Sequence, residues 1–495
     1  MLEYNMKILL HEVYTMTVTR FAPSPTGYMH IGNLRTALYS YLIAKHDGGK
    51  FILRIEDTDR ERFVEGATDI IKSTLKITGL GYDEGPDVGG DHGPYVQSER
   101  KEIYMEYAKK LVDLGYAYYC FCTKERLEQL HDEDAMGGYD RHCRNLSKEE
   151  VSERLASGIP FVIRQKMPLE GTTSYVDSVF GEISMNNSEL QDQILIKADG
   201  YPTYNFCHVI DDHLMGVTHV VRGSEYLTST PKYVLLYDAY GWERPVYVHL
   251  PLLMGKNADG SVSKLSKRHG AVSFQDLLSD GYLAEAITNY IALLGWCPKG
   301  SEAEFFTLEE LKAAFTIDGV SKSPAVFDFE KLLWFNGEYI HKLSDEKFAE
   351  LVAPYIKSDI PDSINKAKML ALLKTRISKL SEIEDKMSFF LALPEYDKEL
   401  FLNKKNKISE FDTVKLVLEE ARGILADVDS FDNDSLFAAL SVLNEKLSMK
   451  TGTIMWCIRI AVSGMAATPG GATEIMEVIG KSESLTRIEA ALAKL

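Results

Sequence analysis

Cysteine is scarce in this chain, with six residues in 495, scattered along its length. Such spacing excludes a disulfide framework and fits a reducing compartment. Long apolar runs are also missing. No stretch of about 18 apolar residues occurs, so no membrane-spanning helix is expected. The opening residues, MLEYNMKILLHEVYT, have no basic start, and their short apolar piece is broken by His11 and Glu12. No secretory signal is therefore expected, and a cytoplasmic location is. Internal repeats and low-complexity segments are lacking as well. Positive charge is in deficit: 55 Lys and Arg stand against 73 Asp and Glu, a net charge of −18. Phosphate binding draws on Lys and Arg, so the total argues against a nucleic-acid partner. A long acidic chain can still carry one basic face, and composition leaves that question to the motifs.

Hydrophobic residues make up 45% of the chain and charged residues 26%, ordinary values for a globular protein. The length predicts three or four domains. Thr17 to Phe21 reads as a short strand ending at a Pro-rich turn, Ala22-Pro-Ser-Pro-Thr-Gly27. Leu34, Ala37, Leu38, Tyr41 and Leu42 then fall at helical spacing. Phe51 to Ile55 is a second short strand, and Val64 to Ile77 a second helix. This alternation predicts a parallel sheet of Rossmann type. Between about 100 and 200 the pattern becomes irregular and reads as an insertion. Alternation resumes with Gln193 to Lys197, a loop over Tyr201 to Asn205, and a strand over Thr218 to Arg222. After Lys264 the chain turns mostly helical. Leu370, Leu373, Ile377, Leu380, Ile383 and Met387 repeat at three and four, which predicts an all-helical C-terminal part.

Two segments carry chemistry. In Arg20-Phe-Ala-Pro-Ser-Pro-Thr-Gly-Tyr-Met-His-Ile-Gly-Asn33 a strand meets a rigid turn and then a helix N-terminus. Free backbone N–H groups and the partial positive charge there suit a phosphate. Gly27 and Gly32 allow close approach to the backbone, and His30 can donate to a phosphate oxygen. In Lys264-Leu-Ser-Lys-Arg268, two lysines three apart on a polar loop can reach around a triphosphate. Either segment alone reads as a surface turn or a solvated basic loop. Together, and in this order, they resemble the two signatures of class I aminoacyl-tRNA synthetases, HIGH and KMSKS. Asn33 replaces the last His of the first signature; Leu265 and Arg268 replace the Met and last Ser of the second. The flanking Arg20-Phe-Ala-Pro-Ser-Pro-Thr-Gly27 is similar to the glutamyl branch of that family.

The resemblance implies ATP and L-glutamate as substrates, with Mg²⁺ accompanying the nucleotide. His30, Lys264 and Lys267 would be the catalytic contacts. Ala22, Pro23, Ser24, His30, Gly32, Asn33 and Lys267 would bind ATP. An acidic amino acid calls for arginine used bidentately and for one carboxylate to meet its ammonium. Arg20, Ala22, Ser24, Glu56, Tyr204, His208 and Arg222 are the glutamate-binding candidates, all expected at strand ends or in the loops beyond them. By resemblance Glu56 holds the α-ammonium and the two arginines receive carboxylates. The glutaminyl branch, the nearest rival, usually reads Pro-Glu-Pro where this chain has Ala22-Pro-Ser-Pro25, and it ends in β-barrels.

Cys120-Phe-Cys122 followed by Cys143 offers three thiolates for a tetrahedral metal site. Some glutamyl synthetases bind Zn²⁺ through such a pair with a later Tyr-x-x-x-Cys. By that resemblance Cys120, Cys122, Tyr139 and Cys143 are the expected ligands, with Tyr139 favoured over His142. Cys207, Cys297 and Cys457 read as packed thiols.

Ser323 to Asn336 and Lys450 to Gly464 also resemble glutamyl synthetases, so the likeness spans nearly the whole chain from Met16. It implies residues 1–15 as an extension, 16–100 and 201–262 as the halves of the catalytic domain, and 101–200 as an inserted acceptor-stem-binding domain. Residues 263–337 would carry the lysine loop and a stem contact, and 338–495 a helical anticodon-binding domain. The expected partner is tRNA(Glu), with tRNA(Gln) a second candidate. A monomer is expected.

Overall fold

The computed structural model describes residues 16–59, 61–133, 138–257, 259–270, 272–300 and 302–495, with only the backbone described at His131, Glu133 and Lys267. The expected extension, 1–15, lies outside the described residues. The chain divides into two units. One runs up to Leu277 and takes in Ile287–Asp328; the other comprises Leu278–Ala286 and Phe329–Leu495. No described helix is long and apolar enough to cross a membrane.

The first unit is mixed α/β. Its main sheet has six strands in the order Lys50–Leu53, Val18–Phe21, His219–Gly223, Val246–Leu250, Thr172–Asp177, Gly181–Asn186. All neighbours are parallel except the last two, which form an antiparallel hairpin. The central strands are buried, with Val220, Val221 and Val248 at most 1% exposed, as befits a sheet covered on both faces. The helix Ile31–His46 follows the first strand and is hydrophobic nearly all round: Leu34, Ala37, Leu38, Tyr39 and Leu42 are all buried.

Two sequence expectations shift. The hairpin 172–186 lies within the stretch read as an insertion, yet it extends the main sheet, because Asp177 pairs in register with Tyr247. Conversely, Ile194–Ile196 belongs to a separate three-stranded sheet with Ala117–Cys120 and Val162–Gln165. Helical alternation alone cannot say which sheet a strand joins, because that is settled by pairing between distant segments. A third small sheet carries the lysine loop: Leu253–Lys256 pairs antiparallel with Val262–Lys264 and parallel with Ala325–Phe327.

The second unit is helical. Its core packs Met387, Phe390, Leu418, Leu440 and Ile458, all fully buried. The long helix Ala472–Lys494 is interrupted at Gly480, whose φ of 80° falls where glycine is favoured. Arg487, 2% exposed, donates to the carbonyls of Phe389, Phe390 and Val462. Those carbonyls end the helices Ile383–Leu391 and Thr451–Ser463, so one cation satisfies acceptors that helix geometry leaves unpaired.

Candidate active site

A cleft of about 1120 Å³ opens over the carboxyl ends of the central strands of the first unit. Its walls include Arg20, Ala22, Pro23, Ser24, His30, Gly32, Asn33, Glu56, Tyr204, Arg222 and Lys264. Open α/β sheets bind ligands at this edge because strand ends and helix N-termini expose unpaired backbone groups there. The residues singled out in the sequence thus gather in one place, with two exceptions: His208 lies behind the wall, and Lys267, expected in both the catalytic and ATP-binding sets, has a side chain outside the described residues. Tyr204 and His208 do not sit on a loop as expected. They begin and continue the helix Tyr204–Leu214, one turn apart.

At one end of the cleft His30 caps the helix Ile31–His46. Its Nδ1 accepts from the backbone N–H of Gly32 at 3.0 Å. In the neutral ring this fixes the proton on Nε2, leaving that nitrogen as a donor. Burial, and then the nearby charge of Lys264, push the His30 pKa below its ordinary value and keep the ring neutral. The result is a directed donor beside a helix N-terminus, an arrangement suited to a phosphate oxygen. Lys264 ends an exposed strand and adds a solvated ammonium to the same wall.

Three buried arginines, Arg20, Arg35 and Arg222, line the cleft, and Arg54 stands behind the lining against Glu56; Arg35 is spent on the carbonyls of Leu294 and Pro251. Arg54, 0% exposed, donates to Asp212 at 2.8 Å and Glu56 at 3.0 Å, and its Nε lies 3.7 Å from Asp211. Arg20 donates to the same Asp212 oxygen at 2.9 Å and to the carbonyl of Val221 at 3.2 Å. Burial raises the Glu56 pKa, although Arg54 and Arg20 oppose the rise. Glu56 is the carboxylate of this cluster that also lines the cleft.

Arg222 differs. Its Nε donates to His249 Nε2 at 3.0 Å, its Nη2 to Thr230 Oγ1 at 2.6 Å, and Nη1 stands 3.4 Å from His208 Nε2. The guanidinium also lies 4.8–5.6 Å from the ring centres of Tyr233, Tyr226 and Tyr247. Among the described residues no carboxylate comes within ion-pair distance of it. Burial, together with the Arg222 charge, holds the His208 pKa down to about 3, so that ring is neutral. Its Nδ1 meets the Tyr204 carbonyl at 2.7 Å and its face stacks on the Tyr204 ring at 4.8 Å. A buried cation with no carboxylate in direct contact, 4% exposed on a cleft wall, is chemically suited to an anion.

In the small sheet beyond, Cys120, Cys122 and Cys143 bring their sulfurs within 4.8 Å of one another. The Tyr139 hydroxyl lies 3.2 Å from Cys120 Sγ and 3.6 Å from Cys122 Sγ. His142 is exposed and is not part of the cluster. Arg126 reaches Cys122 Sγ at 3.6 Å, and the Arg164 guanidinium lies 3.9 Å from the Tyr139 ring centre, so two cations face groups that must lose protons to bind a metal. Three thiols and one phenol converging this closely fit the donor set of a tetrahedral zinc site.

Sequence reasoning missed Asp177, His249 and Thr230, which shape the surroundings of Arg222. No motif joins positions so far apart. No expected element covered 223–262, so neither Thr230 nor His249 carried a signal in the sequence.

Residues 16–334 match the family described as tRNA synthetases class I (E and Q), catalytic domain, and residues 347–492 match the anticodon binding domain. A curated relative named glutamate–tRNA ligase, from Clostridium kluyveri, is 56% identical over 485 residues, spanning 97% of this chain and 98% of its own. Another of that name, from Clostridium tetani, is 56% identical over 481 residues, spanning 96% and 97%. Among solved structures, a glutamate tRNA ligase from Elizabethkingia meningosepticum in complex with its amino acid is similar, with a TM-score of 0.88 and 35% identity over 97% of this chain and 100% of that one.

Proposed function

The chain belongs to the class I tRNA synthetases of the glutamate and glutamine type, and we infer from that premise that its cleft joins L-glutamate to tRNA at the expense of ATP. The reaction has two steps. The glutamate α-carboxylate attacks the α-phosphorus of ATP and pyrophosphate leaves; a terminal ribose hydroxyl of tRNA then attacks the mixed anhydride and AMP leaves.

The observation that supports glutamate as the amino acid is the uncompensated charge of Arg222. Glutamate and glutamine are nearly isosteric, so shape separates them poorly. A buried guanidinium separates them well, because a carboxylate restores its missing counter-charge and an amide does not. We assign the substrate side-chain carboxylate to Arg222, with Tyr204 and His208 forming the neutral wall around it. Arg20 contributes from the opposite side with its charge partly cancelled by Asp212. Glu56 meets the α-ammonium. Ala22 and Ser24 lie between the two substrates on the rigid turn.

ATP lies along Ala22, Pro23, Ser24, Gly32 and Asn33, with His30 Nε2–H donating to the phosphate chain. Lys264 and Lys267 follow the negative charge that develops on the departing pyrophosphate. Mg²⁺ bound to the nucleotide would offset part of its charge. The protein's own work is positioning and charge stabilisation, since phosphoryl transfer needs little covalent help.

The helical unit binds the anticodon of tRNA(Glu). A single experiment tests the reading: charging of separated glutamate and glutamine tRNAs with each amino acid. Glutamate attached to tRNA(Glu) is expected; charging with glutamine, or none at all, contradicts it. Glutamate attached to tRNA(Gln) as well would widen the tRNA range and leave the amino-acid assignment standing.

Cys120, Cys122, Cys143 and Tyr139 would hold one Zn²⁺, which would supply a cross-link between the end of the strand Ala117–Cys120 and the turn 139–143. Metal analysis of protein purified without chelator is expected to find about one zinc per chain. Protein free of metal with an unchanged melting temperature would remove the assignment.

A further inference from the structure

Arg222 is held by a chain of buried groups that starts at an acid it does not touch. Asp177, 1% exposed, ends the strand Thr172–Asp177. Its Oδ1 accepts from the backbone N–H groups of Val179 at 3.0 Å and Phe180 at 2.8 Å. Its Oδ2 accepts from the backbone N–H of His249 at 3.1 Å and faces His249 Nδ1 at 2.6 Å. His249 is 0% exposed, and its other nitrogen faces the Nε–H of Arg222 at 3.0 Å.

The proton arrangement follows from the partners. A guanidinium only donates, so His249 Nε2 must accept. A carboxylate only accepts, so Nδ1 must carry the proton. Burial and the facing guanidinium outweigh Asp177 and hold the His249 pKa below its ordinary value, in keeping with a neutral ring. We propose that Asp177 and His249 are positioning residues for glutamate selection: Asp177 fixes the tautomer of His249, and His249 anchors Arg222 through a neutral acceptor so that its charge stays available to the substrate carboxylate.

The alternative arrangement shows why a neutral link is needed. A carboxylate placed directly on Arg222 would hold it equally well, but would compete with the substrate for the same charge. Apolar packing alone would leave the buried Nε–H unsatisfied and the guanidinium free to turn. The imidazole avoids both, and the ring places Asp177 one residue further from the ligand. Thr230 does the same on the other side of the guanidinium: its hydroxyl accepts from Nη2 and donates to the Tyr226 carbonyl at 2.7 Å.

This inference rests on glutamate as the substrate, and its test separates the two claims. Asn and Gln at position 249 differ in reach. Asn extends only to the place of Nδ1 and keeps the donor to Asp177. Gln extends to the place of Nε2 and keeps an acceptor for Arg222. Glutamate-dependent pyrophosphate release is measured with saturating tRNA for the wild type, His249→Asn, His249→Gln and Asp177→Asn. His249→Asn is expected to raise the glutamate KM on the order of tenfold or more, the scale of one hydrogen bond to a charged group, with the ATP KM within about twofold of wild type. His249→Gln should stay within about threefold for both substrates, and Asp177→Asn should move the glutamate KM in the same direction as His249→Asn. Equal behaviour of the Asn and Gln variants, or a parallel rise of the ATP and glutamate KM values, overturns the positioning role. Lack of glutamate-dependent release by the wild type would instead overturn the substrate on which it rests.

Discussion

Arg54 and Arg222 are both buried under the same cleft, yet they are equipped in opposite ways. Arg54 is surrounded by carboxylates: Asp212 and Glu56 in hydrogen-bond contact, Asp211 just beyond. Arg222 is surrounded by neutral groups: two imidazoles, a hydroxyl and three phenol rings. A buried ion pair with its partners in place is electrically finished, and it orients what it touches, here Glu56 and Asp212. A buried cation with only neutral acceptors is held in place but unfinished. The contrast teaches that burial and charge alone do not mark a binding arginine. The charge of its neighbours must be weighed with them, and on that scale Arg20, paired with Asp212, stands between the two.

The comparison predicts different failures for the two arginines. Arg54→Met should have the largest effect, and it should fall on stability. Removing one partner from a buried cluster strands its carboxylates, at a cost of about 3–5 kcal/mol, which chemical denaturation would read as a lower midpoint. An Arg54→Met protein as stable as wild type would show that the cluster is not held by that cation. Thr230→Val should have the smallest effect, and it should fall on function. It withdraws one neutral acceptor from Arg222, costing about 1 kcal/mol, or roughly a fivefold rise in the glutamate KM. A change in melting temperature with no change in that KM would place Thr230 with the Arg54 side of the comparison.

Much of the cleft was legible because its residues sit in contiguous segments with a recognisable order. The turn Ala22–Gly27, His30 and the lysine loop could be read together, as could the helical periodicity after residue 340. Arg20, Glu56 and Arg222 fell near strand ends, where a parallel sheet presents ligand groups. Asp177 and His249 were not legible. Asp177 ends a hairpin strand inside a stretch that read as irregular insertion, and its meaning depends on pairing with Tyr247, 70 residues on in the chain. Tyr204 falls within the expected loop 201–205, yet it opens the helix Tyr204–Leu214, two residues after Pro202. The unit boundary was also hidden: Leu278–Ala286 packs with the C-terminal helices, while Ile287–Asp328 returns to the first unit. Periodicity shows that a segment is helical and has an apolar face, but not which core receives that face.

The central claim is that Arg222 keeps its charge for the substrate side chain, and the most direct measurement is the ratio of kcat/KM for glutamate over glutamine, taken with tRNA present, in the wild type and in Arg222→Gln. Loss of a charge-assisted pair in a buried site predicts a fall in that ratio on the order of a hundredfold, carried by the glutamate KM, with the ATP KM near its wild-type value. An unchanged ratio accompanied only by a lower melting temperature would contradict the claim and make Arg222 a structural residue like Arg54.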